Sequence, residues 1–378
     1  MKIPRILLAA GASGSGKTLI TCGLLQALVN RKKKVASFKC GPDYIDPMFH
    51  SRVIGTKSRN LDTFFTDADT TRYLLRRNAA DCDIAVMEGV MGFYDGVGGI
   101  STRASAYDLA DTTDTPVILI VNSRGMSISL AAYIKGFMEY KENSHIKGVI
   151  FNQMSPMLYP RMKKLVEEEL GIEVFGYVPK VEDCVIESRH LGLVLPEEIV
   201  DLKERLQKLA GVLEETLEID RILALAENAP DLNAPESLSQ KNPAFDFRLP
   251  QKLRIGVAKD EAFCFFYEDN FRLLQEMGAE LVEFSPVHDA HLPKNLDGML
   301  LYGGYPELNG EALEQNESMK TEIAQAVNGG MPCMAECGGF MYLHERMEDM
   351  DGISRKTCGV IPGKCFRTPK LTRFGYIP

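Results

Sequence analysis

No stretch of this 378-residue chain approaches the roughly 18 consecutive apolar residues of a membrane span. Nor is there an excess of positive charge: 43 Lys and Arg stand against 52 Asp and Glu, a net charge of −9. A broad basic face for nucleic acid is therefore excluded. The one dense basic run, Arg31 to Lys34, has the length of a solvated helix end. The nine cysteines include no CxxC pair. The closest sets, Cys333/Cys337 and Cys358/Cys365, lack zinc-site spacing. An apolar start runs into a glycine-rich loop and not a cleavage site, so no signal peptide is expected. An odd cysteine count without a secretion signal points to free thiols in a reducing cytosol. There is no fixed-period repeat and no low-complexity segment. With 45% apolar and 25% charged residues, a disordered or fibrous chain is excluded as well.

What remains is an ordinary globular composition, long enough for about two domains. The first half alternates apolar strands and amphipathic helices. Apolar runs lie at Ile3 to Ala10, Val35 to Lys39, Ile84 to Met87, Val117 to Val121 and Gly148 to Phe151, with a helical pattern from Thr18 to Val29. Such alternation predicts βαβ units and a mostly parallel sheet. Residues 201–227 read as one charged, leucine-rich helix. Prolines at 230, 235, 243 and 250 then deny regular structure. A second βα series begins at Leu253 and runs to a strand at Pro332 to Ala335. The reading is α/β with two domains, 1–226 and 251–378, joined by a linker over 227–250.

Two segments carry chemistry. Gly11 to Thr18, GASGSGKT, fits the phosphate-binding G-x-x-x-x-G-K-[ST] loop between a strand and a helix. Gly11, Gly14, Ser15 and Gly16 let backbone N–H groups face phosphate oxygens. Lys17 neutralises phosphate charge, and the Thr18 hydroxyl ligates Mg²⁺. A nucleoside triphosphate such as ATP is the expected ligand. Mg²⁺ needs carboxylates near Thr18, and ligands bind beyond strand ends in open parallel sheets. The candidates are Asp43 and Asp46 in FKCGPDYIDPMFH, and Glu88 and Asp95 in VMEGVMGFYDG. The expected metal set is Thr18, Asp43 and Glu88. A lone loop Asp is ordinarily turn chemistry, but a carboxylate ending a buried strand, as Glu88 does, is costly unless paired or metal-bound. Lys39 is a phosphate or substrate-carboxylate ligand, or else a snorkelling surface lysine. Tyr44 and Asp46 would face the substrate. Ser101 and Thr102 bind a substrate carboxylate or cap a helix.

The second segment is GMPCMAECGGFMYL. A strand enters Cys337, and Gly338 and Gly339 follow at a helix start, the form of a nucleophile elbow. Such a turn exposes the side chain, and a helix N-terminus is expected to lower the thiol. The alternative is a buried cysteine beside a glycine turn. Cys333 reads as a core thiol.

The stretches FKCGPDYIDPMFH, SRNLDTFF, MEGVMGFYDG and SRHLGL resemble the cobyrinic acid a,c-diamide synthase family, whose relatives act on hydrogenobyrinate or nickel-sirohydrochlorin. The resemblance implies an N-terminal half similar to dethiobiotin synthetase, which phosphorylates a carboxylate. It implies a ligase of cobalamin biosynthesis that takes ATP, Mg²⁺, glutamine and a corrinoid, with Lys17, Asp43, Asp46 and Glu88 at its catalytic centre. LRIGVAKDEAFCFFYEDN, LLYGGYPEL and AECGGFMYL are similar to a class I glutamine amidotransferase. By that likeness Cys337 is the nucleophile, and Gly303 and Gly304 shape the oxyanion hole; in the resembling ligases an Asn at such a strand end contacts the adenine, which nominates Asn152, with capping of the next turn as the alternative. A homodimer is left open; no nucleic-acid or membrane partner is expected. A P-loop switch ATPase is the reading from another class, and the cysteine elbow argues against it. The family's catalytic His lies beyond RFGY (Arg373 to Tyr376), near where this sequence ends at Pro378. His288, His291 and His344 read as structural or solvated. The expectation is that these 378 residues do not turn over glutamine at ordinary enzyme rates, which a glutaminase assay checks directly.

Overall fold

A computed structural model describes residues 1–181, 184, 188–189, 192–193, 199, 201–239 and 246–368. The RFGY motif, the middle of SRHLGL and residues 240–245 of the expected linker lie outside them. The chain divides into two compact units on either side of Gln240.

In the first unit the apolar runs become strands: β1 (Arg5–Ala10), β2 (Val35–Cys40), β3 (Lys57–Leu61), β4 (Ile84–Glu88), β5 (Val117–Asn122), β6 (Ile146–Asn152) and β7 (Glu173–Val178). They form one parallel sheet in the order β3-β2-β4-β1-β5-β6-β7. Every residue of β1, β2 and β4 is buried. That burial on both faces is why these strands read as near-continuous apolar runs without alternation. Helices α1 (Lys17–Asn30), α2 (Ile45–Met48), α3 (Ala68–Ala79), α4 (Ala106–Thr113), α5 (Ser129–Glu139) and α6 (Tyr159–Leu170) connect them. Strand β1 sits between β4 and β5, so chain order reverses direction beside it. Its carboxyl end is the switch point where such sheets bind ligands.

A hairpin β8 (Ser188–Arg189) and β9 (Gly192–Leu193) follows. The single helix expected over 201–227 is two: α7 (Leu202–Thr216) and α8 (Ile219–Glu227). The break is at Leu217, which is extended and bridges to Gly176 of β7. A Cβ on Gly176 would lie 2.2 Å from the Thr216 carbonyl oxygen, so tertiary contact overrides the helical periodicity there. Residues 228–239 carry no helix or strand, yet Leu232 and Leu238 are buried, and Leu232 N–H donates to the Met1 carbonyl. This first part of the proline-rich segment therefore packs against the first unit.

The second unit has a parallel sheet in the order β11-β10-β12-β13, from β10 (Arg254–Ala258), β11 (Glu280–Phe284), β12 (Gly298–Leu301) and β13 (Cys333–Ala335). Its helices are α9 (Glu268–Glu276), α10 (Gly310–Gln315), α11 (Glu317–Asn328) and α12 (Gly338–Tyr342). A small sheet of β14 (His344–Glu348), β15 (Ser354–Lys356) and β16 (Ile361–Cys365) completes it. Both units are thus α/β, with mostly parallel sheets flanked by helices. Among the described residues all nine cysteines are free, and no helix is long and apolar enough to cross a membrane.

One buried charge braces the sheet far from its ligand edge. Arg5, at the start of β1, is fully buried. Its guanidinium donates to the carbonyls of Ile3, Thr113 and Asp114 and to Thr115 Oγ1. Desolvation lowers it to about 10 despite the attraction of Asp114 and Asp231. Arg5→Ala strands several buried acceptors, each costing about 1–3 kcal/mol. The expected result is an unfolding transition of the first unit weakened by about 3 kcal/mol, read by chemical denaturation.

Candidate active sites

The phosphate loop leaves β1 at Ala10 and enters α1 at Lys17, as the motif requires. Gly16 has φ 90°, and a Cβ there would lie 2.3 Å from Asn152 Nδ2, so no other residue fits without displacement. Asn152, expected at the adenine, has its amide engaged within the protein: Nδ2 donates to the Ser15 carbonyl at 2.8 Å, and Oδ1 accepts from Gln153 N–H. The end of β6 thus braces the loop. The Lys17 ammonium donates to the carbonyls of Ala12 and Met91. Burial, with repulsion from Lys39, lowers it to about 8.

Beside the loop lies a buried charge cluster. Lys39 and Glu88 end adjacent strands and are paired in register. Both are buried, as is Asp46 at the start of α2. Lys39 Nζ donates to Glu88 Oε1 at 2.9 Å and to Asp46 Oδ2. Thr18 Oγ1 donates to Glu88 Oε1 at 2.6 Å and lies 3.3 Å from Asp46 Oδ2. The snorkelling alternative for Lys39 is thereby overturned. Burial alone would raise Glu88 and lower Lys39. Lys39, His50 and Thr18 nevertheless hold the Glu88 carboxyl far below its ordinary range, and Asp46, Glu88 and Asp43 hold the Lys39 ammonium well above its own. Burial and the Glu88 charge push Asp46 up, against the pull of Lys39. One ammonium facing two carboxylates supports one firm carboxylate charge, and Glu88 carries it.

The expected metal set was Thr18, Asp43 and Glu88. The structure brings Thr18, Asp46 and Glu88 together instead. Asp43 Oδ1 accepts from the N–H groups of Ile45 and Asp46, and its Oδ2 is 3.9 Å from Lys39. Asp43 therefore shapes the turn and stands at the rim. Among the described residues no three His, Cys, Asp or Glu side chains are arranged to hold a metal. Two carboxylates and a hydroxyl, all hard oxygens, still suit Mg²⁺, which takes few protein ligands and completes its shell with phosphate and water.

The remaining candidates are peripheral. Asp95 Oδ2 accepts from Gly92 N–H at 3.0 Å, ordering the loop after β4. Tyr44 is half-buried. Ser101 Oγ accepts from Arg103 N–H in a turn, and the Thr102 carbonyl accepts from Ser105. Helix α4 is capped by Ser105, not by either of them. Sequence reasoning missed His50. It is buried in a π-helical turn (Phe49–Val53), with Nε2 3.2 Å from Glu88 Oε2. Its place inside the FKCGPDYIDPMFH stretch was the available signal.

In the second unit Cys337 has φ 48°, ψ −114°, between β13 and α12. It is a strained elbow that leaves Cys337 exposed as a residue while its sulfur is set against the backbone of Gly303. Gly303 and Gly304, after β12, lie beside it. A Cβ on Gly303 would be 3.4 Å from the Cys337 Sγ, and one on Gly304 would be 2.1 Å from the Ala262 carbonyl oxygen. The backbone N–H groups of Gly338 and Gly304 donate toward the thiol. The lowered thiol expected from the helix terminus is not found. Desolvation outweighs those two N–H groups, the charges of Glu307 and Glu336 add to it, and the thiol is raised above its ordinary value. A five-residue helix contributes little dipole to oppose this. His288 pairs with Glu261, and His291 with Glu322. His344 begins β14, and its Nδ1 faces the Phe340 carbonyl.

Both units match known protein families. Residues 6–193 match the family described as "CobQ/CobB/MinD/ParA nucleotide binding domain". Residues 254–377 match the "CobB/CobQ-like glutamine amidotransferase domain". A cobyrinate a,c-diamide synthase of Dehalococcoides mccartyi is 42% identical over 381 residues, covering 100% of this chain and 81% of that protein. The synthase of Caldanaerobacter subterraneus subsp. tengcongensis is 39% identical over 375 residues, 99% of this chain and 81% of its own. That of Priestia megaterium is 38% identical over 373 residues, with shares of 98% and 80%.

The raised thiol has a direct consequence. Alkylation of Cys337 by iodoacetamide, followed by mass spectrometry, should be slower at neutral pH than alkylation of a free cysteine, and its inflection should lie at higher pH than that of the free thiol. An inflection near 7 would refute the desolvated site.

Proposed function

Because the chain belongs to the cobyrinate a,c-diamide synthase family, we propose that it converts the a and c acetate carboxylates of cobyrinate to amides, using ATP and glutamine. We assign the ligation to residues 1–226 and the supply of ammonia to residues 251–378. The observation that carries the reading is the buried Lys39–Glu88–Asp46 cluster touching Thr18 of the phosphate loop. A switch ATPase has no need of an amidotransferase elbow.

In the ligation a substrate acetate oxygen attacks the γ-phosphorus. The bond from γ-phosphorus to the ADP oxygen breaks, leaving an acyl phosphate. Ammonia then attacks the acyl carbon, phosphate departs with its electron pair, and the nitrogen loses a proton to give the amide. There is little covalent work for the protein, so positioning and charge neutralisation dominate. Lys17, parked on two loop carbonyls, would turn to the phosphates, which restore its full charge. Lys39 would meet the transferring phosphoryl group or the acetate. Thr18, Glu88 and Asp46 would hold Mg²⁺, which supplies charge neutralisation on the triphosphate; Asp43 and Asp95 order the loops that border it. Tyr44, Ser101 and Thr102 remain the proposed contacts for the corrinoid's polar edge. In the second unit Cys337 Sγ would attack the glutamine amide carbon, with Gly303 and Gly304 at the developing oxyanion and the thiol proton passing to the leaving nitrogen; that transfer calls for a base, which is why these 378 residues are expected to run the step slowly. The C–N bond breaks to release ammonia, and water later cleaves the thioester to glutamate.

The test uses ammonia as the nitrogen source, so that it reads the first unit alone. Lys17→Ala should lower ammonia-driven amidation of cobyrinate by at least about 100-fold, and wild-type protein given hydroxylamine should yield the hydroxamate. Full activity in the variant overturns the role of the loop. Rapid ATP hydrolysis without any carboxylate substrate overturns the ligase.

A further inference from the structure

We propose that His50 is a positioning residue: its imidazole holds the far oxygen of Glu88, so that the near oxygen faces Thr18 and the metal of the nucleotide. The proposal rests on the reading above, in that it takes Glu88 as a metal-facing carboxylate.

The two oxygens of Glu88 have separate surroundings. Oε1 faces the phosphate site, where it accepts from Thr18 Oγ1 and Lys39 Nζ. Oε2 is turned the other way, buried, and lacks an aligned hydrogen bond among the described residues. His50 Nε2 lies 3.2 Å from it, and both side chains are wholly buried. Neither imidazole nitrogen has an aligned partner either. A buried imidazole with no bond of its own, set against an equally unbonded carboxylate oxygen, is costly unless the two act on each other. Such pairs are commonly out of line in the empty site and tighten when the ligand arrives.

The backbone is built to keep the ring there. The His50 carbonyl accepts from both Thr56 N–H and Thr56 Oγ1, and Thr56 Oγ1 is bonded to Ser37 of β2 at 2.9 Å. The π-turn that carries His50 is thereby tied to the strand that carries Lys39. π-Helical turns are rare and occur frequently at functional sites. Metal-ligating carboxylates are themselves usually hydrogen-bonded from behind, and loss of such a partner typically lowers metal affinity 10–100-fold. Without His50, Oε2 is free to rotate toward Lys39 and Thr18, and Oε1 no longer has one direction.

The test measures Mn²⁺ binding by electron paramagnetic resonance in the presence of a non-hydrolysable ATP analogue, and binding of that analogue without metal by calorimetry. His50→Leu should weaken Mn²⁺ about 10–100-fold while metal-free analogue binding changes less than about twofold. His50→Gln, which keeps an N–H donor, should recover part of the loss. Equal Mn²⁺ affinity in His50→Leu and wild type overturns the proposal, and so does an equal loss of metal and nucleotide, which marks a merely structural residue. Should the variants not fold, the wild-type protein decides through the ring-nitrogen spectrum of its six histidines. A shift when Mg²⁺ joins the analogue complex supports the proposal, and no shift in any ring overturns it. Failure of wild type to bind Mn²⁺ with the analogue would instead sink the metal-site reading itself.

Discussion

A lysine ammonium held between two carboxylates inside a parallel sheet is the constraint on which the ligase half depends. Lys39 and Glu88 are cross-strand neighbours at the ends of β2 and β4, and Asp46 reaches back to them from the turn after β2. Each charge alone would be prohibitive at this depth. Together they are tolerable, and they tie three separate stretches of chain to Thr18 of the phosphate loop. A buried pair of this kind is weak evidence of stability, since an apolar trio of similar volume would serve packing as well. Its chemistry is the better explanation. The cluster keeps a cation and hard anionic oxygens desolvated and aimed at one point, so little reorganisation is needed when a triphosphate and a carboxylate arrive.

The cysteine half solves a related problem with different means. A strand again ends in a tight turn and a helix start, but the charged side chains near the turn, Glu307 and Glu336, oppose a thiolate instead of favouring it. Selection falls on the absence of side chains. Gly303 and Gly304 stand where any Cβ would crowd the thiol or the Ala262 carbonyl, and Cys337 takes a backbone conformation that few non-glycine residues accept. The thiol is desolvated and raised. In the phosphate site, local charge is pre-assembled; in the cysteine site, the geometry is pre-assembled and the charge is left to be generated.

How far this was legible follows from the range of each interaction. Both α/β units could be read because buried parallel strands leave long apolar runs, as in RILLAA and VILIVN, and because GASGSGKT and AECGG compress their chemistry into a few consecutive residues. Glu88 was singled out by a local argument, a carboxylate closing an apolar strand. The choice between Asp43 and Asp46 was not local. Asp43 lies before α2 and Asp46 in its first turn, and which one meets Thr18 is set by how that segment packs on β2. Asn152 read as an adenine contact by resemblance to the ligases; the Ser15 carbonyl that engages its amide is 137 positions away. The break at Leu217 depended on Gly176 in the same way. His50 was passed over because a π-turn has no sequence period to announce it, and only its place in the FKCGPDYIDPMFH stretch pointed to it.

The pattern of these differences has a physical order. Periodicity reports which face of an element is dry, and motifs report which backbone shape is needed, since both are written over a few neighbouring residues. Direction is written elsewhere. Whether Lys39 snorkels or turns inward is decided by Glu88 on the adjacent strand, not by its own neighbours. The same holds for the Cys337 thiol. The sequence shows a helix start that should favour the thiolate, but the helix is five residues long, and partial burial of the sulfur with the charges of Glu307 and Glu336 outweighs it. Sign and magnitude of an electrostatic effect are sums over the fold, and a local reading captures only the term nearest in sequence.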